Sequence, residues 1–233
     1  MALTDKLTAI ANAIRSKTGK SELLTLDAMP QEIQSIQTGG GGDASTEDYD
    51  DVVATDTDIS PAITHYKQTN PSLNYIRNYG FYGCNRLESI DVPNIIQFGT
   101  YSFMYCSALK NVVAPKIEVV NTSAFQDSGL ERLDCSPNRE DEPITFNTAC
   151  FRRSNLETLI IRHATQVAKC GSSTTFNSTP IAEGTGYIYV PQALIEQYKV
   201  ATNWATYANQ FRAIEDYPEI CGDTAADTNV EVL

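Results

Sequence analysis

Residues 79–93, YGFYGCNRLESIDVP, and residues 101–115, YSFMYCSALKNVVAP, align when one is shifted by 22 positions. Both carry an aromatic residue, a cysteine, a leucine and a short alternating stretch closed by proline. Those roles fall on Phe81, Cys84, Leu87 and Pro93, then on Phe103, Cys106, Leu109 and Pro115. Working outward, Phe125 repeats the 22-residue step and Phe151 follows after 26. Five residues before each Phe stands an apolar residue: Ile76, Phe98, Val120, Phe146. After each comes a leucine: Leu87, Leu109, Leu130, Leu156. Self-similarity at this period marks a stacked repeat, not a single globular layer.

A unit of 22 residues cannot bury its own apolar columns, so successive units must stack and turn each column into a ladder. Ile90, Val112, Leu133 and Leu159, with Val92, Ala114, Cys135 and Ile161 two positions on, alternate with Asp91, Val113, Asp134 and Ile160. Period-two alternation predicts a short strand in each unit, the second set facing outward. The longer step to Phe151 is a polar, proline-bearing loop, with five more residues between Cys135 and Phe146 than between Val92 and Phe98. A degenerate fifth unit runs through Val167, Phe176 and Ile181 to the strand Ile188–Val190. Beyond Pro191, the residues Leu194, Tyr198, Trp204, Tyr207, Phe211 and Ile214 follow roughly helical spacing and predict a helical cap over the open end. Residues 216–233 read as a tail.

The N-terminal stretch is of another kind. Leu3, Leu7, Ile10 and Ile14 form one helical stripe, and Ile33 and Ile36 form the apolar side of a second short helix. Helices this short need a partner: their own hairpin, or copies of themselves. The 4-3-4 spacing is also a heptad seam, of a kind that suits trimers. Gly39–Gly42 and the acidic stretch that follows read as a linker. The predicted division is 1–38 anchor and oligomerisation segment, 39–59 linker, 60–215 repeat domain with cap, and 216–233 tail.

Composition narrows the function classes. The 17 basic and 29 acidic residues leave a net charge of −12, a field that opposes binding to nucleic acid. No apolar run is long enough to insert in a membrane, and the first twenty residues lack a signal-peptide core. Two histidines, His65 and His163, and no short Cys/His spacing leave no metal site or cofactor to expect. No nucleophile, base and orienting group converge, so the chain is expected not to be an enzyme. Thr18-Gly19-Lys20-Ser21 ends like a phosphate loop, but Ile14 stands where its first glycine belongs. Asp50-Asp51 and Glu140-Asp141-Glu142 read as solvated surface, with weak calcium binding as the alternative. Cys84, Cys106, Cys135 and Cys150 fall on inward columns, where a thiol acts as a small apolar group. Stacked units about 5 Å apart put Cys84 and Cys106 within disulfide reach, although free thiols are expected. The candidate contact residues are Tyr79, Tyr82, Tyr101 and Tyr105, which flank the first two Phe positions and offer rigid amphipathic area to a glycan or protein. For any one of them the favoured alternative is that the ring covers the solenoid's own flank or an oligomer contact.

The units resemble leucine-rich repeats of the bacterial surface-antigen (BspA-like) type over about residues 60–215. Ser128 and Ser154 replace the cysteine, and one residue is lost before the leucine. The resemblance implies an α+β fold: a BspA-like leucine-rich-repeat solenoid with short parallel strands, preceded by a short N-terminal helical segment and closed by a C-terminal helical cap. Residues 7–36 are similar to the N-terminal segment of many phage and prophage tail and virion proteins. Residues 184–215 are similar to the terminal cap of repeat-bearing phage proteins. Together these imply a phage virion component (tail tip, fibre or other appendage), assembled in the host cytoplasm. It would bind other virion proteins through residues 1–38, form a homo-oligomer, with a trimer favoured, and display the repeats to a host-surface glycan or protein. A bacterial cell-surface or secreted repeat adhesin is the alternative, opposed by the absence of an export signal.

Overall fold

The computed structural model describes residues 62–222. The expectations for the anchor residues Leu3, Leu7, Ile10, Ile14, Ile33 and Ile36, and for the glycine-rich linker, lie outside the described residues. In chain order the first strands are β1 (His65–Lys67), β2 (Tyr75–Ile76), β3 (Ser89–Asp91), β4 (Gln97–Phe98), β5 (Asn111–Ala114) and β6 (Val119–Val120). There follow β7 (Arg132–Cys135), β8 (Thr145–Phe146), β9 (Thr158–Ile161), β10 (Lys169–Cys170), β11 (Tyr187–Val190) and β12 (Phe211–Ala213).

Each coil adds one strand to each of two parallel sheets, ordered β12-β11-β9-β7-β5 and β10-β8-β6-β4-β2, while β1 pairs with β3 in a separate ladder. The register reproduces the columns read from the sequence. Val112, Leu133, Leu159, Ile188 and Phe211 are successive partners in the first sheet. Ile76, Phe98, Val120, Phe146 and Cys170 are successive partners in the second. A parallel ladder with one unit per strand forces this result, because a slip of one residue would turn every apolar side chain outward.

The third side of each coil is a tight turn around the phenylalanine. Phe81, Phe103, Phe125, Phe151 and Phe176 are all fully buried. Their rings stack in sequence, with centroids 5.2, 4.9, 6.1 and 5.4 Å apart and interplanar angles no larger than 25°. Stacked pairs of this kind contribute roughly 0.5–1.5 kcal/mol each beyond area burial. The backbone is satisfied from coil to coil. Phe81, Phe103 and Phe125 donate their N–H groups to the carbonyls of Ser102, Ala124 and Cys150 at 2.7–2.8 Å.

The exchange of cysteine for serine has a local cause. Ser128 and Ser154 each donate the hydroxyl to the carbonyl of the preceding Phe at 2.8 Å, and Thr179 does the same at 2.7 Å. Cys106 instead reaches the Phe81 carbonyl of the neighbouring coil. The residue lost before Leu130 draws the chain inward, and a Cβ at Gly129 would stand 2.0 Å from the Ser107 carbonyl oxygen. All six cysteines are free and buried, so the Cys84–Cys106 bond does not form.

The closing segment is less helical than the spacing predicts. It holds α1 (Pro180–Glu183), a 3₁₀ turn (Gln192–Leu194), α2 (Ile195–Val200) and a second 3₁₀ stretch (Ala205–Gln210). Phe211 then leaves helical geometry and joins the first sheet in β12. Side chains take the place of a further coil along β10. Trp204 Nε1 donates to the Ala168 carbonyl at 2.6 Å, Tyr198 Oη accepts from the Ala168 amide at 2.9 Å, and Asn203 donates to the Cys170 carbonyl at 2.7 Å. An edge strand closed this way offers few free groups for mispairing.

One expectation fails on the outer face of the first sheet. Val113 is 59% exposed as predicted, but Ile160 and Asp134 are buried. The 3₁₀ turn Ile214–Asp216 and α3 (Pro218–Cys221) fold back there, and Ile160, Tyr189, Ile214 and Cys221 form a second apolar cluster. Asp134 is held by Arg162 at 2.7 and 2.9 Å and by Arg132 at 3.1 Å, and Arg162 also donates to the Cys221 carbonyl. Residues 216–222, assigned by sequence to the tail, thus cover part of this sheet.

Two alanine substitutions on the turns should act in opposite directions in denaturant titrations. Gly129→Ala should destabilise by about 1–3 kcal/mol, as overpacking against backbone does. Ser102→Ala should be neutral or stabilise by up to about 1 kcal/mol, because the buried Ser102 hydroxyl has no partner among the described residues. Loss of stability on Ser102→Ala would show that the hydroxyl is bonded.

Candidate functional site

The first four turns around the phenylalanines take left-handed backbone at two positions each, and the Phe176 turn at one, Ser178. Tyr79, Tyr101, Ser123 and Ala149 occupy the first column with φ of 55–60°, and Gly83, Tyr105, Asp127 and Arg153 the second with φ of 55–73°. A non-glycine residue pays roughly 1–2 kcal/mol for this conformation. The offset is the coil-to-coil hydrogen bond that it aims. Tyr79, Tyr101 and Tyr105 donate to the carbonyls of Thr100, Thr122 and Gln126 at 2.9, 3.2 and 3.3 Å. Exposure differs from coil to coil at these positions: Tyr79 and Tyr105 are exposed, whereas Ser123 and Ala149 are buried.

The four sequence-nominated tyrosines come together. Tyr79 packs against Tyr82 at 5.6 Å and Tyr101 at 5.0 Å, and Tyr82 meets Tyr105 edge-on at 5.5 Å. Tyr79, Tyr82 and Tyr105 are 51%, 45% and 43% exposed, while Tyr101 is half-buried. Met104, in the column of Tyr82, is buried. The rings form one patch over two coils.

The patch continues into a polar network that sequence reading placed in the same columns but did not connect. Arg153 grips Asp127 across coils, Nε to Oδ1 at 2.5 Å and Nη2 to Oδ2 at 2.6 Å, and Gln126 donates to Asp127 Oδ2 at 3.0 Å. The Arg153 hydrogen bond holds the Asp127 carboxyl below its ordinary value. The available signal was an acidic and a basic residue in one column on adjacent coils.

Other chemistry is spent on the fold. His163 is fully buried, its Nε2–H donates to the Glu142 carbonyl at 2.9 Å, and Nδ1 accepts from the Thr165 and Gln166 amides at 3.4 and 3.3 Å. It fastens the 136–143 loop and is closed to solvent. Burial pushes the Cys84 thiol up to about 11 and the Cys106, Cys135 and Cys150 thiols well above their ordinary range, which leaves no thiolate for chemistry. The Asn121 side chain bridges the Phe98 carbonyl and Asn147 and so is engaged within the ladder. Among the described residues no three metal-ligating side chains cluster, and no helix is long and apolar enough to cross a membrane.

Because the folded protein lowers the Asp127 value, the pair adds stability above the ordinary carboxylate value and loses it as pH falls through the folded one. Asp127→Asn should therefore lower thermal stability near neutrality and converge with the parent in strong acid. Parallel curves across the whole range would show that the pair contributes nothing.

No curated protein matches the chain. Residues 74–185, from the strand before the first phenylalanine turn to the end of α1, match the BspA type leucine rich repeat region in six copies.

Proposed function

We propose that the chain is a non-enzymatic attachment protein of a phage virion, a tail-tip, fibre or other appendage component assembled in the host cytoplasm. Residues 1–38 join it to other virion proteins and to copies of itself, a trimer being favoured, and the repeat body presents its turn face to the host surface. The observation that carries the attachment reading is the patch of exposed tyrosines on a rigid solenoid, an amphipathic contact area held in place before any ligand arrives. The phage assignment draws support from the similarity of residues 7–36 and 184–215 to segments of virion proteins. A second reading, a bacterial cell-surface or secreted adhesin, is favoured by the BspA-type match of residues 74–185.

Mass measurement in solution separates the readings. The full chain should be an oligomer with the mass of a trimer, and removal of residues 1–38 should release folded monomers with an unchanged near-ultraviolet spectrum. A full chain that stays monomeric at high concentration would overturn the assembly role and favour the adhesin.

A further inference from the structure

We infer that the ligand of the tyrosine face is a saccharide chain lying across the coils, its ring faces on the tyrosines and its hydroxyls on Asp127 and Arg153. The inference rests on the attachment reading and deepens it by naming the ligand class. Three observations carry it. Every exposed ring of the patch ends in a hydroxyl, and the exposed aliphatic residues, Val113 and Val200, lie elsewhere, on β5 and α2. The rings also brace one another at 5.0–5.6 Å, so they lose little freedom on binding.

The third observation is the polar end. Tyr105 N–H donates to the Gln126 carbonyl, so the network stands one coil from the rings. Asp127 and Arg153 balance each other in charge and set acceptors beside donors. Arg153 commits Nε and Nη2 to Asp127, and its other guanidinium protons remain to donate. A phosphate or carboxylate ligand needs donors alone, and a basic peptide needs acceptors alone. A hydroxyl is both donor and acceptor, and neighbouring hydroxyls on a sugar ring match a fixed donor–acceptor pair. Arg152 adds one positive charge at this edge and admits a sugar acid without requiring one. The columns span three inter-coil steps of about 4.8 Å, roughly 14 Å, the length of a short oligosaccharide and not of one sugar.

The test uses the full chain. Chitohexaose, maltohexaose and a galacturonate hexamer are titrated by calorimetry, and binding to a panel of bacterial cells is measured before and after periodate or protease treatment. Expected are binding of at least one hexamer more tightly than its dimer, and cell binding abolished by periodate and retained after protease. Tyr82→Ala and Tyr105→Ala should each weaken binding by about tenfold or more, as loss of a central contact does. Tyr105→Phe, which keeps the ring, and unchanged melting curves guard against misfolding. Cell binding destroyed by protease and untouched by periodate would overturn the saccharide and leave the attachment reading standing. No binding to any hexamer or any cell would overturn both.

Discussion

The structure depends on one backbone constraint: around each phenylalanine, alternate N–H groups must find the carbonyls of the next coil. Phe81, Phe103 and Phe125 each donate straight across at 2.7–2.8 Å, flanked by donors two residues before and two residues after. That geometry fixes the coil spacing, and the spacing stacks the buried rings nearly parallel. Unpaired backbone groups beside a packed apolar ladder would cost more than any single contact returns. Strand register, the serine and glycine departures and the side-chain closure of β10 all follow from keeping those groups paired.

The contact face grows from the same constraint. In the first four turns two left-handed residues aim the donors. Tyr79 and Tyr105 stand exposed in the first two of these turns, while Ser123 and Ala149 are buried in the next two, so one backbone carries a different surface on each coil. In the first two coils tyrosine fills most of them; in the next two, serine, alanine, aspartate and arginine do. The fold supplies the spacing and the exposed columns supply the chemistry.

Much of this was legible in the residues. Ile76, Phe98, Val120 and Phe146 were readable as an inward column because a column one repeat apart needs no three-dimensional information, only the period. The four tyrosines were readable as neighbours for the same reason. Phe211 was not: its spacing from Trp204 and Tyr207 fits a helix, but the free edge of β11 offered hydrogen bonds that a short helix could not match. The burial of Ile160 and Asp134 was not legible, because the segment Ile214–Cys221 that folds over their face shares no period with the repeat.

By itself, the sequence determined the repeat, its inward columns, its short strands and the residues of its exposed turn face, since all of these are periodic and periodicity survives without coordinates. Tertiary structure alone decided which side chains close β10, which face residues 214–222 cover, and that Gln126, Asp127 and Arg153 form one network beside the tyrosines. Those contacts join residues with no common spacing, or depend on side-chain directions that only the left-handed turns set.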